Sequence, residues 1–161
     1  MAESIWMQVK GSKQGDIKSE VTTKGREGFM ECVALETGMS SPRDPASGKP
    51  TGRRVHTPLA VVKRVDKASP LLSNALANNE TLSTVKLLFY RPKGDGTTDN
   101  FFSIELANAT VSRQKVYLPN MLDPTESHYP ALERIEFTFQ KITWTYTNGG
   151  ISASDDWEAQ S

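Results

Sequence analysis

The chain of 161 residues contains one cysteine, two histidines and no long apolar run. The single cysteine, Cys32, excludes a disulfide within the chain. No run of about 18 apolar residues is present that would span a bilayer as a helix. The first residues also lack the basic-then-apolar pattern of a signal peptide. We therefore expect a protein that is made in the cytoplasm, does not insert directly into a membrane and does not leave by the signal-peptide route.

The charges balance, which excludes a class of partners. Lys plus Arg and Asp plus Glu both number 19, so the formal net charge is zero. A basic surface of the kind that attracts nucleic acid or anionic lipid is not expected from this composition. We predict no nucleic-acid partner.

Residues that carry catalytic or metal chemistry are scarce and scattered. His56 and His128 lie far apart in sequence, and neither has a second ligand at metal spacing. Cys32 lies in an apolar strand, which is typical of an inert buried thiol, although a dyad with a histidine stays an alternative at this point. The run 94–96 (GDG) indicates a hairpin turn, because the further acidic ligands of a calcium loop are missing. We predict no cofactor, no metal and no enzymatic activity, and a packed or interface role for His56.

The strongest structural signal is the stretch from Ile135 to Thr147. Large apolar residues alternate with polar ones, first as Ile135, Phe137 and Phe139 and then, shifted by one residue, as Ile142, Trp144 and Tyr146. Period-two alternation predicts a half-buried strand, and the shift predicts a bulge near residues 140–141 or a second partner surface. Trp144 and Tyr146 then lie either in the core of the subunit or against a neighbouring subunit.

A similar shift occurs between Leu106 and Ala109, after a strand that begins near Phe102. If the two segments pair antiparallel, the shifts lie opposite each other, as in a curling sheet. One helix is predicted, with Ser69 as its N-cap and Pro70 at its first position. The fold class is mainly β: a barrel or two-sheet sandwich of antiparallel strands with one short flanking helix, in a single domain over 1–161.

Two segments do not fit this strand pattern. Residues 41–52 (SPRDPASGKPTG) contain three prolines and two glycines, which predicts a long, exposed, extended loop. The polar residues at about 149–161 are predicted to form a tail. The strand predicted at 29–38, just before this loop, is apolar on both faces in its middle, which suggests burial on both sides.

Several short motifs, in order along the chain, resemble the haemolysin-coregulated proteins (Hcp), the tube subunits of bacterial type VI secretion systems. Near the C-terminus these are 141–149 (KITWTYTNG) and 154–157 (SDDW). The upstream motifs are 26–28 (REG), 48–52 (GKPTG), 55–58 (VHTP) and 66–71 (DKASPL). The resemblance covers essentially the whole chain.

The resemblance implies a β-barrel that assembles as a homohexameric ring. Rings are expected to stack into a hollow tube, which a contractile sheath and a spike protein drive out of the cell. Small effector proteins are expected to travel in the ring lumen. The protein would then be found first in the bacterial cytoplasm and afterwards outside the cell or in a target cell.

The resemblance also suggests roles for individual residues. The loop matches the segment used for ring-to-ring contacts, with these polar candidates: Arg43, Asp44, Lys49, Arg53 and Arg54. Ala34 and Glu36 share one face of their strand and are candidates for the water-filled lumen, with an ordinary solvent-facing strand position as the alternative. Two alternatives remain open, a phage-type tail tube protein and a monomeric β-sandwich that binds a ligand or acts as a small enzyme.

Overall fold

Antiparallel strands build most of the structure, a computed structural model that describes residues 3–159. Within these residues the chain forms eleven strands and one helix, α1, at Ser69–Ala77. The strands, in chain order, are β1 Ser4–Gly11, β2 Gly15–Ile17, β3 Met30–Glu36, β4 Met39–Ser40, β5 Val55–His56, β6 Leu59–Arg64, β7 Leu82–Pro92, β8 Thr98–Tyr117, β9 Leu132–Thr138, β10 Lys141–Tyr146 and β11 Ile151–Asp156.

Six strands close into a barrel because β9 pairs with β6 on one side and with β8 on the other. Around the barrel the order is β8, β7, β1, β3, β6, β9 and then β8 again. All these pairs are antiparallel. β10 and β11 extend this sheet beyond the barrel, while β4 and β5 form a separate two-stranded sheet. The predicted fold class is confirmed.

The long strand β8 joins the barrel to its extension. Its first half pairs with β10 and its second half pairs with β9 along the same edge. The two predicted shifts do lie opposite each other: Asn108 has a left-handed backbone with φ 49°, and its Nδ2 donates to Gln140 Oε1 at 2.6 Å. The predicted continuous strand from Ile135 to Thr147 is wrong, since it is interrupted at residues 139–140 and continues as β10 with β11 as its second partner.

The barrel core is apolar and confirms the predicted phase of β9. Ile135 and Phe137 are fully buried, and Phe139 is 6% exposed. They pack in one cluster with buried residues of the other barrel strands, including Met7, Met30, Leu59, Leu87 and Leu106. Helix α1 adds Leu72 and Ala75 to this cluster.

The helix starts one residue earlier than predicted. Its N-cap is Ala68, and Ser69 makes no capping hydrogen bond. Instead, the Ser69 hydroxyl accepts the amide of Asp66 at 2.9 Å and donates to Glu133 at 3.0 Å. A buried carboxylate needs hydrogen-bond donors, and the Ser69 hydroxyl is a donor to Glu133 rather than a cap of the helix.

Two further expectations need correction. The middle of β3 is not buried on both faces: Val33 is 53% exposed, in phase with Glu31, and the register shift between Cys32 and Ala34 leaves Ala34 exposed as well. A β-bulge of this kind turns one side chain out of the alternation. The predicted polar tail at about 149–161 contains β11, which pairs with β10 along its whole length, and residues 160–161 of it lie outside the described residues.

Candidate functional site

A row of apolar side chains crosses the sheet extension and ends at its edge. Cross-strand register places Phe89, Phe102, Tyr146 and Ile151 in line on β7, β8, β10 and β11. The first two are half-buried, Tyr146 is 39% exposed and Ile151 is 69% exposed. Exposed apolar residues that form a contiguous patch typically mark an interaction surface. We call this set the aromatic row.

Trp144 lies beside the aromatic row and is half-buried against the core cluster. Tyr146, two residues further, points along the same face but lies on the surface. The two aromatics predicted to lie in the core or at a subunit contact therefore occupy different depths. Whether a neighbouring subunit covers them stays a prediction.

β11 is an open sheet edge. Within residues 3–159 it pairs with β10 alone, and the side chains of residues 151–154 are exposed. Its outer backbone N–H and C=O groups are therefore available to another strand or surface. The aromatic row and this edge meet at Ile151.

The predicted stacking loop is a narrow hairpin. A bridge joins Arg43 to Pro50, and the Asp44 amide donates to the Lys49 carbonyl at 2.8 Å. The Asp44 carboxylate accepts the Ser47 hydroxyl at 2.7 Å, which lowers the pKa of Asp44. Arg43 and Lys49 are exposed. An exposed hairpin with charged sides is suited to contact another molecule, but the stacking role of these residues stays a prediction.

Arg53 and Arg54 lie at the base of this hairpin rather than at its tip, and both reach the C-terminal segment. Arg53 donates to the Glu158 carbonyl at 3.1 Å. Arg54 holds Asp155 through two hydrogen bonds, Nε to Oδ2 at 2.7 Å and Nη2 to Oδ1 at 3.0 Å. His56 Nε2 lies 2.7 Å from the same Oδ2, and the arginine lowers the pKa of Asp155 to about 2. Sequence reasoning missed this contact, because about 100 residues separate its members.

The lumen candidates lie on the outer surface of the barrel. Ala34 and Glu36 are exposed, and Glu36 accepts Arg134 Nη2 at 2.6 Å. Next to them is a shallow hollow of about 150 Å³ over Ala60 and Val62. The lumen role of this face stays a prediction.

The catalytic candidates do not form a reactive site. Burial raises the pKa of the Cys32 thiol to about 12, so the thiol stays protonated and is a poor nucleophile. His56 is buried, with its ring 5.5 Å from the Phe139 ring, which agrees with the predicted packed role. Among residues 3–159 no group of three or more His, Cys, Asp or Glu could hold a metal.

Within residues 3–159 there is no helix that is both long enough and apolar enough to cross a membrane.

One buried charged cluster was also missed. Lys63 Nζ lies 2.8 Å from Glu133 Oε1 with both side chains fully buried, and 2.8 Å from Asp66 Oδ1. The signal was present in the sequence: Lys63 continues the alternation of Leu59 and Val61, and Glu133 precedes that of β9. Period-two reasoning places both charges in the core, where they need each other as partners.

Comparisons with known proteins identify relatives along the whole chain. The family model for the type VI secretion system effector Hcp matches residues 6–146. The chain is 38% identical to a "Major exported protein" of Pseudomonas aeruginosa, over 99% of this chain and 98% of that one.

Solved structures share the fold. A crystal structure of an Hcp protein superposes with a TM-score of 0.90 at 30% identity, covering 98% of this chain and 99% of the other. A mutant Hcp1 protein from E. coli EAEC 042 gives a TM-score of 0.86 at 33% identity, covering 97% and 99%. The secreted protein Hcp3 of Pseudomonas aeruginosa gives 0.79 at 30% identity, covering 98% and 100%.

Proposed function

The chain belongs to the Hcp family of type VI secretion proteins, and from this premise we propose that it is a non-enzymatic tube subunit. In this proposal the single domain 1–161 forms homohexameric rings in the cytoplasm. The rings stack into a hollow tube that a contractile sheath expels together with a spike protein. Expulsion takes the protein outside the cell or into a target cell without a signal peptide.

The observation that carries the assembly proposal is the aromatic row beside the open edge of β11. A closed ring needs two different complementary surfaces on each subunit. The aromatic row supplies apolar area, and aromatic residues are enriched at such contacts. The free backbone groups of β11 supply the hydrogen-bonding part of the same surface.

The assembly test uses two neighbouring residues of β11 that face opposite sides of the sheet. Ile151→Lys places a charge in the aromatic row, while Ser152→Lys places the same charge on the other face. Size-exclusion chromatography with light scattering and negative-stain imaging should show six-fold rings for the unmodified protein and for Ser152→Lys. Ile151→Lys should elute as a monomer. Monomers of the unmodified protein at high concentration would contradict the ring proposal and favour the monomeric binding module.

We also propose that effectors ride against the barrel face that carries Ala34 and Glu36. A carboxylate and small side chains on an exposed face suit a water-filled channel better than a sealed contact. Ala34→Cys introduces a thiol that labelling can locate, because the native Cys32 is buried and protonated. In stacked tubes a small maleimide should label this thiol and a bulky polymer maleimide should not. Leu122→Cys, at a position that is 93% exposed, is the control that should accept both.

A further inference from the structure

We infer that the Arg54–Asp155 contact is a clamp that couples the loop hairpin, residues 39–56, to β11. Because of this clamp, the hairpin keeps the orientation needed for ring stacking only while β11 is paired with β10. The inference rests on the proposed function, because it links the segment proposed for ring stacking to the strand proposed for ring closure. Asp155 is in this sense a positioning residue for stacking.

The first argument is that the hairpin has few other attachments. Its base strands β4 and β5 pair with each other and do not join the barrel sheet. The remaining backbone hydrogen bonds of residues 38–57 stay within that segment, as between the Thr57 amide and the Gly38 carbonyl at 3.0 Å. Among the described residues, the side-chain hydrogen bonds that leave the segment all reach residues 155–159. Apart from its chain connections to β3 and β6, the hydrogen bonds that fix the direction of the hairpin are therefore those to the C-terminal segment.

The second argument is that β11 depends on the hairpin in turn. β11 has one neighbouring strand, and its first four side chains are exposed, so little packing holds it. At its C-terminal end Arg54 donates to the carbonyls of Asp156 and Ala159 as well as to the Asp155 carboxylate. Charge-assisted bidentate contacts of arginine with a carboxylate are stronger and more directional than neutral hydrogen bonds. The clamp is thus the main attachment shared by the two segments.

The third argument is that three packed rings also join the hairpin base to the residue that follows β11. The rings of His56, Phe139 and Trp157 contact each other, with centroids 4.8–5.6 Å apart. His56 belongs to the hairpin base and Trp157 follows β11, whereas Phe139 belongs to the barrel core. Displacing either segment would break these ring contacts. The two segments are therefore packed against each other and against the same core residue.

Hydrogen exchange tests the coupling directly, because binding energy between two segments acts on both alike. Asp155→Asn keeps the side-chain shape and removes the charge. We expect amide exchange in both 39–56 and 151–156 to become about tenfold faster, the change that corresponds to about 1.4 kcal/mol. Asp156→Asn is the matched control, since the Asp156 carboxylate accepts the Glu158 amide and not Arg54, and it should exchange like the unmodified protein.

The assembly readout separates this inference from the proposed function. Asp155→Asn should still form rings, because the β10–β11 ladder remains, but should stack into tubes much less than the unmodified protein. Arg54→Lys keeps the charge without the bidentate geometry and should show an intermediate loss of stacking. If Asp155→Asn does not fold, Arg54→Lys replaces it in the test. Unchanged exchange in 39–56, or an equal effect of Asp156→Asn, overturns the clamp while leaving the ring proposal intact. Absence of rings in the unmodified protein overturns the proposed function, and the exchange data then still decide whether the two segments are coupled.

Discussion

The buried pair of Lys63 and Glu133 offers a quantitative test of how the barrel is stabilised. Both side chains are fully buried, and Glu133 also accepts Ser69 and Gln114. Glu133→Gln keeps the shape and leaves Lys63 with one carboxylate, that of Asp66. Removing one member of a buried ion pair costs about 3–5 kcal/mol, and we expect the lower end because Asp66 remains. For a chain of this size, about 3 kcal/mol corresponds to a fall in Tm of about 6–12 °C.

The assay is urea unfolding at one fixed protein concentration, because assembly also stabilises the folded state. Glu36→Gln is the control: it is the same substitution in the exposed pair with Arg134, where a loss below about 1 kcal/mol is expected. The double variant Lys63→Met with Glu133→Leu should recover most of the loss, since both fully buried charges are then removed, and Asp66, which is partly exposed, keeps the Ala68 amide as a donor. A loss below about 1 kcal/mol for Glu133→Gln, or one equal to that of Glu36→Gln, would refute the reasoning.

Four further outcomes follow from other contacts. Gly11→Ala should destabilise by about 1–3 kcal/mol in urea unfolding, because the added Cβ would lie 2.2 Å from Glu80 Oε2, which cannot move away without losing the Lys13 and Gln14 amides. Stability equal to the unmodified protein would contradict this. The Glu80 carboxylate accepts hydrogen bonds from backbone amides, which lower its pKa. Its contribution to the free energy of unfolding is therefore present above the unfolded-state pKa and is lost as pH falls through the folded-state pKa. Glu80→Gln should make the stability depend less on pH in the acid range. Asn108→Gly should be tolerated and Asn108→Val should lower Tm, because φ is 49°; equal Tm values would argue against a conformational role. The folded-state pKa of Asp155 is about 2, so exchange protection of residues 39–56 should persist from pH 7 to about 4 and be lost toward pH 2, whereas loss already at pH 5 would contradict the clamp.

The pattern of apolar residues predicts the fold well where one face of a strand is buried. Ile135 and Phe137 alternate with polar residues, and the barrel core receives them as expected. The interruption at residues 139–140 was visible as a shift of phase. Its consequence, a change of partner strand from β6 to β11, depends on distant residues that local patterning does not report.

The sequence predicts less where backbone pairing or ion pairing dominates. After Ile151 the residues of β11 are small or polar and carry no alternation of apolar residues, so the sequence predicts a tail there. The Arg54–Asp155 contact joins two polar segments, and a polar segment is predicted from sequence to be exposed to solvent. The pattern of apolar residues therefore predicts the barrel, whereas the contacts between its outer segments are seen only in the structure.

The position of β9 in the barrel has a consequence for synthesis. The chain is made from its N-terminus, and β9, which lies between β6 and β8, is the last of the six barrel strands in sequence order. Until residue 138 has left the ribosome, the facing edges of β6 and β8 remain unpaired, and such edges favour aggregation. The barrel therefore cannot close during synthesis until all six of its strands have been made.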